Sequence, residues 1–391
     1  MLNTNFTSWP LYTQEEADAV QDVLLSNKVN YWTGNVCREF EKDFSTWSES
    51  KYSVAVGNGT LALDAAFKAL GIGQGHEVIV TSRSYISSIS SIVNAGAIPI
   101  FADVDLASQN ISPEDIRTAI TNKTRAIVCV HLAGWPCEMD EIMTIANEND
   151  LYVIEDCAQA HGAKYKGKPV GSIGHIGCWS FCQDKIMTTG GEGGMVTTND
   201  KSLWRKMWEY KDHGKSYDAV YEREQPEGFK WLHESFGTNW RMTEMQAAIG
   251  KIQLKRMVDW QRKRLNNANS IWNAAKDISG LRVPTIPNYI EHAAYKCYVF
   301  IEGGITIRDK MIEQINKKGV PCYSGSCSEV YLEKAFDNSN LRPKSRLVNA
   351  KELGETSLMF LVHPTLTKEE IKKTCDVLIE VALAESQKSK N

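Results

Sequence analysis

From residue 52 to about 200 the chain alternates between short apolar runs and helical stretches, and few architectures accept that pattern. The apolar runs fall at 52–56, 77–81, 98–101, 126–130, 152–155, 177–181 and 194–198. Helical spacing at 60–70, 86–95, 113–120 and 139–148 separates several of them. Strands this short and apolar are buried on both faces, and a helix between consecutive strands returns the chain to run parallel. The expected fold class is α/β: a large domain with a mostly parallel seven-stranded sheet flanked by helices.

The flanks extend this reading. Thr13-Gln14-Glu15-Glu16 fits a capping box ahead of Ala17, Val20, Val23 and Leu24. A loop at 30–34 precedes a second helix carrying Phe40 and Phe44. Residues 212–242 mix charges, aromatics, Gly and Pro without a period, as functional or interface loops do. A long helical stretch covers 243–279. A strand at 298–302 and helices at 307–318 and 367–384 then give a smaller C-terminal α/β domain. The expected division is 1–250 for the N-terminal segment and large domain, and 251–391 for a linking helix and the small domain.

Charge and cysteine usage exclude several functions. Over 391 residues, 44 Lys and Arg stand against 48 Asp and Glu, so no bulk field favours nucleic acid. The 10 cysteines form no CxxC, and none has a His set at zinc-site spacing, so no metal site is expected. No apolar run reaches the roughly 18 residues of a membrane helix. The N-terminus has neither the basic start nor the apolar core of a signal peptide. The expected location is cytoplasmic.

Three local features carry chemistry. Lys185 sits in a loop after an apolar run and is followed by Gly190, Gly191, Gly193 and Gly194. Glycines admit close backbone approach, and a Lys there can act as a nucleophile or form a Schiff base. Glu155-Asp156 ends another apolar run, and parallel sheets bind ligands beyond their carboxyl ends. Gly57-Asn58-Gly59-Thr60-Leu61-Ala62 joins a strand to a helix. It matches a dinucleotide fingerprint, which would make the chain an oxidoreductase. However, Glu77 begins its strand instead of ending it, so the ribose-binding acid is missing. What remains is a helix N-terminus able to hold a phosphate. Cradle, strand-end carboxylate and Lys together are the parts pyridoxal 5'-phosphate (PLP) needs.

At these residues the chain resembles the DegT/StrS-type sugar aminotransferases, which are fold-type I PLP transferases. The resemblance spans about residues 8–383. It rests on Trp32-Thr33-Gly34 with Arg38-Glu39-Phe40-Glu41, Gly59-Thr60, the run 71–78, the run 155–162, Ser180-Phe181 with Lys185 and Gly191-Glu192-Gly193-Gly194, and the run 237–242. It implies Lys185 as the catalytic, PLP-binding lysine and Asp156 as partner of the ring nitrogen. Gln159 would meet the ring hydroxyl, Gly59, Thr60 and Ser180 the phosphate, and Tyr85 the ring face. Asn239 would reach the phosphate of a neighbouring subunit, which implies a homodimer with shared active sites. Trp32, Thr33 and Tyr323 are candidate substrate contacts, Tyr323 within the run 323–327.

The implied reaction carries an amino group from L-glutamate to a nucleotide-linked 4-keto-6-deoxy sugar, with pyridoxamine 5'-phosphate forming during turnover. The preferred sugar is UDP-2-acetamido-4-keto-2,6-dideoxyhexose, aminated for surface polysaccharide such as the O-antigen of lipopolysaccharide. A 3-keto sugar aminotransferase is the alternative. A PLP-binding protein without turnover is disfavoured by the intact Lys185, Asp156 and Ser180. Cys182 stands where many relatives have His, and Cys157 is expected only to pack. His161 is expected to support the site or bond a strand end, without acid–base work. Lys251, Lys255, Arg256, Arg262, Lys263 and Arg264 are expected on a solvated helix face.

Overall fold

The computed structural model describes residues 6–224 and 227–388. All seven expected strands form one sheet: β1 Tyr52–Val56, β2 Glu77–Thr81, β3 Ile98–Ala102, β4 Thr124–Val130, β5 Tyr152–Asp156, β6 Ile176–Ser180 and β7 Gly194–Thr198. Their order across the sheet is β1-β7-β6-β5-β4-β2-β3. The neighbours from β3 to β6 are parallel, while β7 runs antiparallel to both β6 and β1. Every residue of β6 and β7 is buried, so neither strand alternates between a core face and a solvent face. The helices Gly59–Ala69, Ser87–Asn94, Pro113–Ala119 and Met139–Glu148 lie where the periodicity placed them.

Helix starts follow local chemistry. Both the Thr13–Glu16 and Thr243–Gln246 capping boxes form. The second starts a 32-residue helix, Glu244–Ala275. Its buried stripe, Leu254, Met257, Trp260, Arg264, Ala268 and Ile271, repeats at three and four residues. Arg264 is therefore corrected: it is 1% exposed and belongs to the core-facing stripe, not to a solvated face. Of the rest of that run, Lys251 and Arg256 do lie nearer solvent and pair with acids of the N-terminal helices, Glu39, Glu15 and Glu16.

Beyond this helix a four-stranded antiparallel sheet forms in the order Leu281–Arg282, Cys297–Ile301, Ser357–Phe360, Cys322–Tyr323. Its core joins Val299, Leu358 and Phe360 to Leu378 and Val381 of the helix Lys368–Lys388. The loop after β2 is tied to this region: Ser84 N–H donates to Cys327 O at 3.1 Å, and Val330 N–H to Ser82 O at 3.0 Å. A cleft lined from both sides results. Among its described residues the irregular 212–242 stretch contains one short helix, Tyr217–Tyr221.

Candidate active site

Strand β5 delivers its last two side chains to opposite faces, as a period of two requires. Asp156, 6% exposed, points into the cleft. Its Oδ2 accepts from Ser88 Oγ at 2.7 Å and its Oδ1 from Ala158 N–H at 3.1 Å. Ser84 Oγ lies 2.8 Å from Ser88 Oγ, extending the chain of hydroxyls. Two donors hold this carboxylate in one orientation.

Glu155 turns the other way and is structural. It accepts from Gly171, Ile173 and Gly174 N–H and from His131 Nε2 at 3.0 Å. Cys137 N–H donates to His131 Nδ1, so Nε2 carries the proton. His131, Glu155 and Cys157 bring possible metal-ligand atoms together. The two His131 nitrogens and both Glu155 oxygens are already engaged in these bonds.

The helix Gly59–Ala69 begins against the ends of β6 and β7. Asn58 caps it, accepting from Leu61 N–H. The Gly59 and Thr60 N–H groups have no acceptor among the described residues and line a cavity of about 570 Å3 with Ser180, Asp156 and Lys185. Any Cβ at 59 would sit 2.5 Å from the Ser180 Cβ, and one at 194 would sit 2.3 Å from the Asn58 carbonyl oxygen. Only glycine permits this closeness, which leaves room for a phosphate between helix start and strand end.

Gln159 Oε1 accepts from Ala133 N–H at 2.9 Å, and its side chain lines the same space. Tyr85 is 69% exposed and forms part of the wall. Lys185 has a side chain 16% exposed, with Nζ 3.8 Å from Asp184 Oδ1. Trp9 Nε1 fixes its backbone through Lys185 O at 2.8 Å. Asp184 also accepts from Tyr295 Oη. Burial opposes the charge of Asp184, but Lys185, the Tyr295 hydroxyl and Lys296 hold its carboxyl below the usual range.

Lys185, Asp184, Gln159, Ser84 and Tyr85 also border a second cavity of about 650 Å3. Its far wall comes from the small sheet and its loops: Tyr295, Lys296, Tyr298, Tyr323, Ser326 and Cys327. The structure thus brings together Lys185, Asp156, Gln159, Ser180, Gly59, Thr60, Tyr85 and Tyr323. It does not bring in Trp32, Thr33 or Asn239. Trp32 Nε1 donates to Asp212 Oδ2 at 2.8 Å, Thr33 is exposed beside it, and exposed Asn239 bridges the backbone of Asp212. These three gather at a different corner of the chain.

His161 is fully buried between Trp179 and Phe181, and neither ring nitrogen finds a hydrogen-bond partner among the described residues. The expected strand-end bond is absent. Burial, then Lys185 and Arg264, push it down to about 3, which keeps it neutral. Cys157 packs in the core as expected. Sequence reasoning passed over Ser88, Asp184, Tyr295 and Lys296. Only Asp184, adjacent to the lysine, carried a local signal.

A family model, the DegT/DnrJ/EryC1/StrS aminotransferase family, matches residues 10–379. The structure superposes on the crystal structure of an aminotransferase from Psychrobacter cryohalolentis with a TM-score of 0.94 and 63% identity, covering 97% of this chain and 99% of that one. A GDP-perosamine synthase of Escherichia coli O157:H7 is 41% identical over 69% of this chain and 73% of its own length. The dTDP-3-amino-3,4,6-trideoxy-alpha-D-glucose transaminase of Streptomyces venezuelae is 29% identical over 94% of this chain and 93% of its own.

Proposed function

This chain belongs to the DegT/DnrJ/EryC1/StrS aminotransferase family, PLP-dependent enzymes of fold-type I that aminate sugars, and on that premise we propose its reaction and its residues. The amino group passes from L-glutamate to a nucleotide-linked 4-keto-6-deoxy sugar, in the preferred form UDP-2-acetamido-4-keto-2,6-dideoxyhexose. The product is a 4-amino sugar for surface polysaccharide. The observation that carries this reading is the joining of two cavities at Lys185: one has the cradle and carboxylate for the cofactor, and the other has room for a sugar nucleotide.

Bound PLP supplies an aldehyde and an electron-accepting ring. Lys185 Nζ would hold the aldehyde and would carry a proton to or from the substrate carbon. The Asp156 carboxylate, fixed by Ser88 and Ala158, would keep the ring nitrogen protonated. Gly59 and Thr60 N–H and Ser180 Oγ receive the phosphate, Gln159 meets the ring hydroxyl, and Tyr85 covers the ring. Asn239 and the Trp32–Thr33 loop lie outside this chain's own cleft, as residues serving a neighbouring subunit's site in a homodimer would.

The names of two relatives favour other substrates, GDP-linked in one case and a dTDP-linked 3-amino sugar in the other. The test is therefore a panel: glutamate with UDP-, GDP- and dTDP-linked 4-keto and 3-keto sugars, read by the mass of the aminated product. Product from the UDP-linked 4-keto sugar alone is expected. Exclusive turnover of a GDP-linked or a 3-keto sugar rejects the substrate assignment.

A further inference from the structure

The wall facing Lys185 in the larger cavity holds charge that the protein itself does not balance. The Tyr295 ring is shared by two lysines: Lys185 Nζ lies 5.2 Å from its centroid and Lys296 Nζ 4.7 Å. Asp184, between them in charge, is already engaged by the Tyr295 hydroxyl and by Lys185. Lys296 has no hydrogen bond and no ion pair among the described residues, although it borders the cavity. The other acid on that wall, Glu333, is exposed. Behind lies Arg264, whose Nη1 reaches Tyr295 O at 3.4 Å while its buried Nε and Nη2 find no acceptor.

Lys296 is half-buried and faces the Tyr295 ring with no acid of its own. Burial pushes Lys296 down to about 8; Asp184 pulls against this, while Arg264 and Lys185 add to it. Lys296 and Arg264 beside one engaged carboxylate leave the place of an anion open, next to the reacting amine. Both substrates bring anions. In the sugar nucleotide the diphosphate is separated from the reacting carbonyl by the sugar ring. In the amino donor a carboxylate is attached to the reacting carbon itself, and an acidic donor carries a second one a few bonds away. Proximity to Lys185 favours the donor.

We propose that Lys296 is the recognition residue for a carboxylate of the amino donor, with Tyr295 and Arg264 positioning it. This rests on the aminotransferase reading above and adds to it a docking point for the donor. Lys296 pairs with the arriving carboxylate, and the desolvation already present in the empty wall strengthens that pair.

The test uses full-length, PLP-loaded wild type, Lys296→Ala, Lys296→Met and Lys296→Arg. L-Glutamate and L-alanine are titrated against the cofactor's visible absorbance, and UDP and GDP are titrated by calorimetry. Loss of the ammonium should weaken glutamate about tenfold or more. Arg should restore most of it, while nucleotide affinity and melting temperature stay unchanged. Equal weakening of glutamate and alanine assigns the carboxylate on the reacting carbon; weakening of glutamate alone assigns the side-chain carboxylate. Lys296→Met, which keeps the packing, separates lost charge from lost fold. Wild-type affinity for glutamate in Ala and Met variants that fold overturns the proposal, as does loss of nucleotide binding with glutamate intact. A wild type that ignores both amino acids rejects the donor reading itself, and the subsite falls with it.

Discussion

At the cofactor end of the cleft the buried acids are saturated. Asp156 holds Ser88 and Ala158, and Glu155, on the opposite face of β5, holds three backbone N–H groups and His131. At the end formed with the small sheet, polar groups are left over: Lys296 without an acid and Arg264 with two idle nitrogens. Hydrogen-bonded carboxylates cost little to bury, whereas unpaired cations cost a good deal. At the first end folding alone fixes the acids, and the Gly59 and Thr60 N–H groups are left for a phosphate. The second is completed only by what binds there, which suits a site that must release one substrate before taking the next.

The sharpest way to break this contrast is at the saturated end. Asp156→Asn removes the charge that protonates the ring and should lower turnover by about 10²-fold or more, measured at matched cofactor occupancy. Gly59→Ala places a methyl against Ser180. Cofactor affinity should fall roughly tenfold with the fold retained, followed by PLP titration. At the open end the effect is on pH. Lys296 is cationic below about 8, so donor affinity should be steady beneath that value and fall as pH rises through it. Among its neighbours Asp184 stays ionised, His363, pushed to about 3, stays neutral, and burial raises Tyr295 above its usual range. Arg264, pushed down to about 9, loses charge only later. Lys185 faces the same ring, so Lys296→Ala is the control that must flatten the fall. The smallest change is His161→Phe. It removes unpartnered nitrogens from between two aromatic rings, so melting temperature should hold or rise and activity stay within a few-fold.

The same contrast separates what was legible in the sequence from what was not. The sheet was readable because buried parallel strands are apolar on both faces and glycines mark the close approaches at 59 and 190–194. Lys185, Asp156 and Ser180 each lie at the end of such a strand or in the loop after it. Ser88 meets Asp156 across 68 positions, and Tyr295 meets Asp184 across 111, so no local pattern could pair them. Arg264 was readable and misassigned. Counting its three- and four-residue spacing from Met257 and Trp260 places it on the buried stripe, where its charge argues against itself. For His161, expected to support the site or bond a strand end, the strand-end bond is replaced by packing between two aromatic rings.

The most direct measurement is the visible spectrum of the PLP-loaded protein as L-glutamate is added, in wild type and in Lys185→Ala. Wild type should show an absorbance band that glutamate bleaches, and the variant should show neither the band nor the response. A Lys185→Ala protein that keeps the band and bleaches as wild type does would contradict the assignment of this lysine and the reaction built on it.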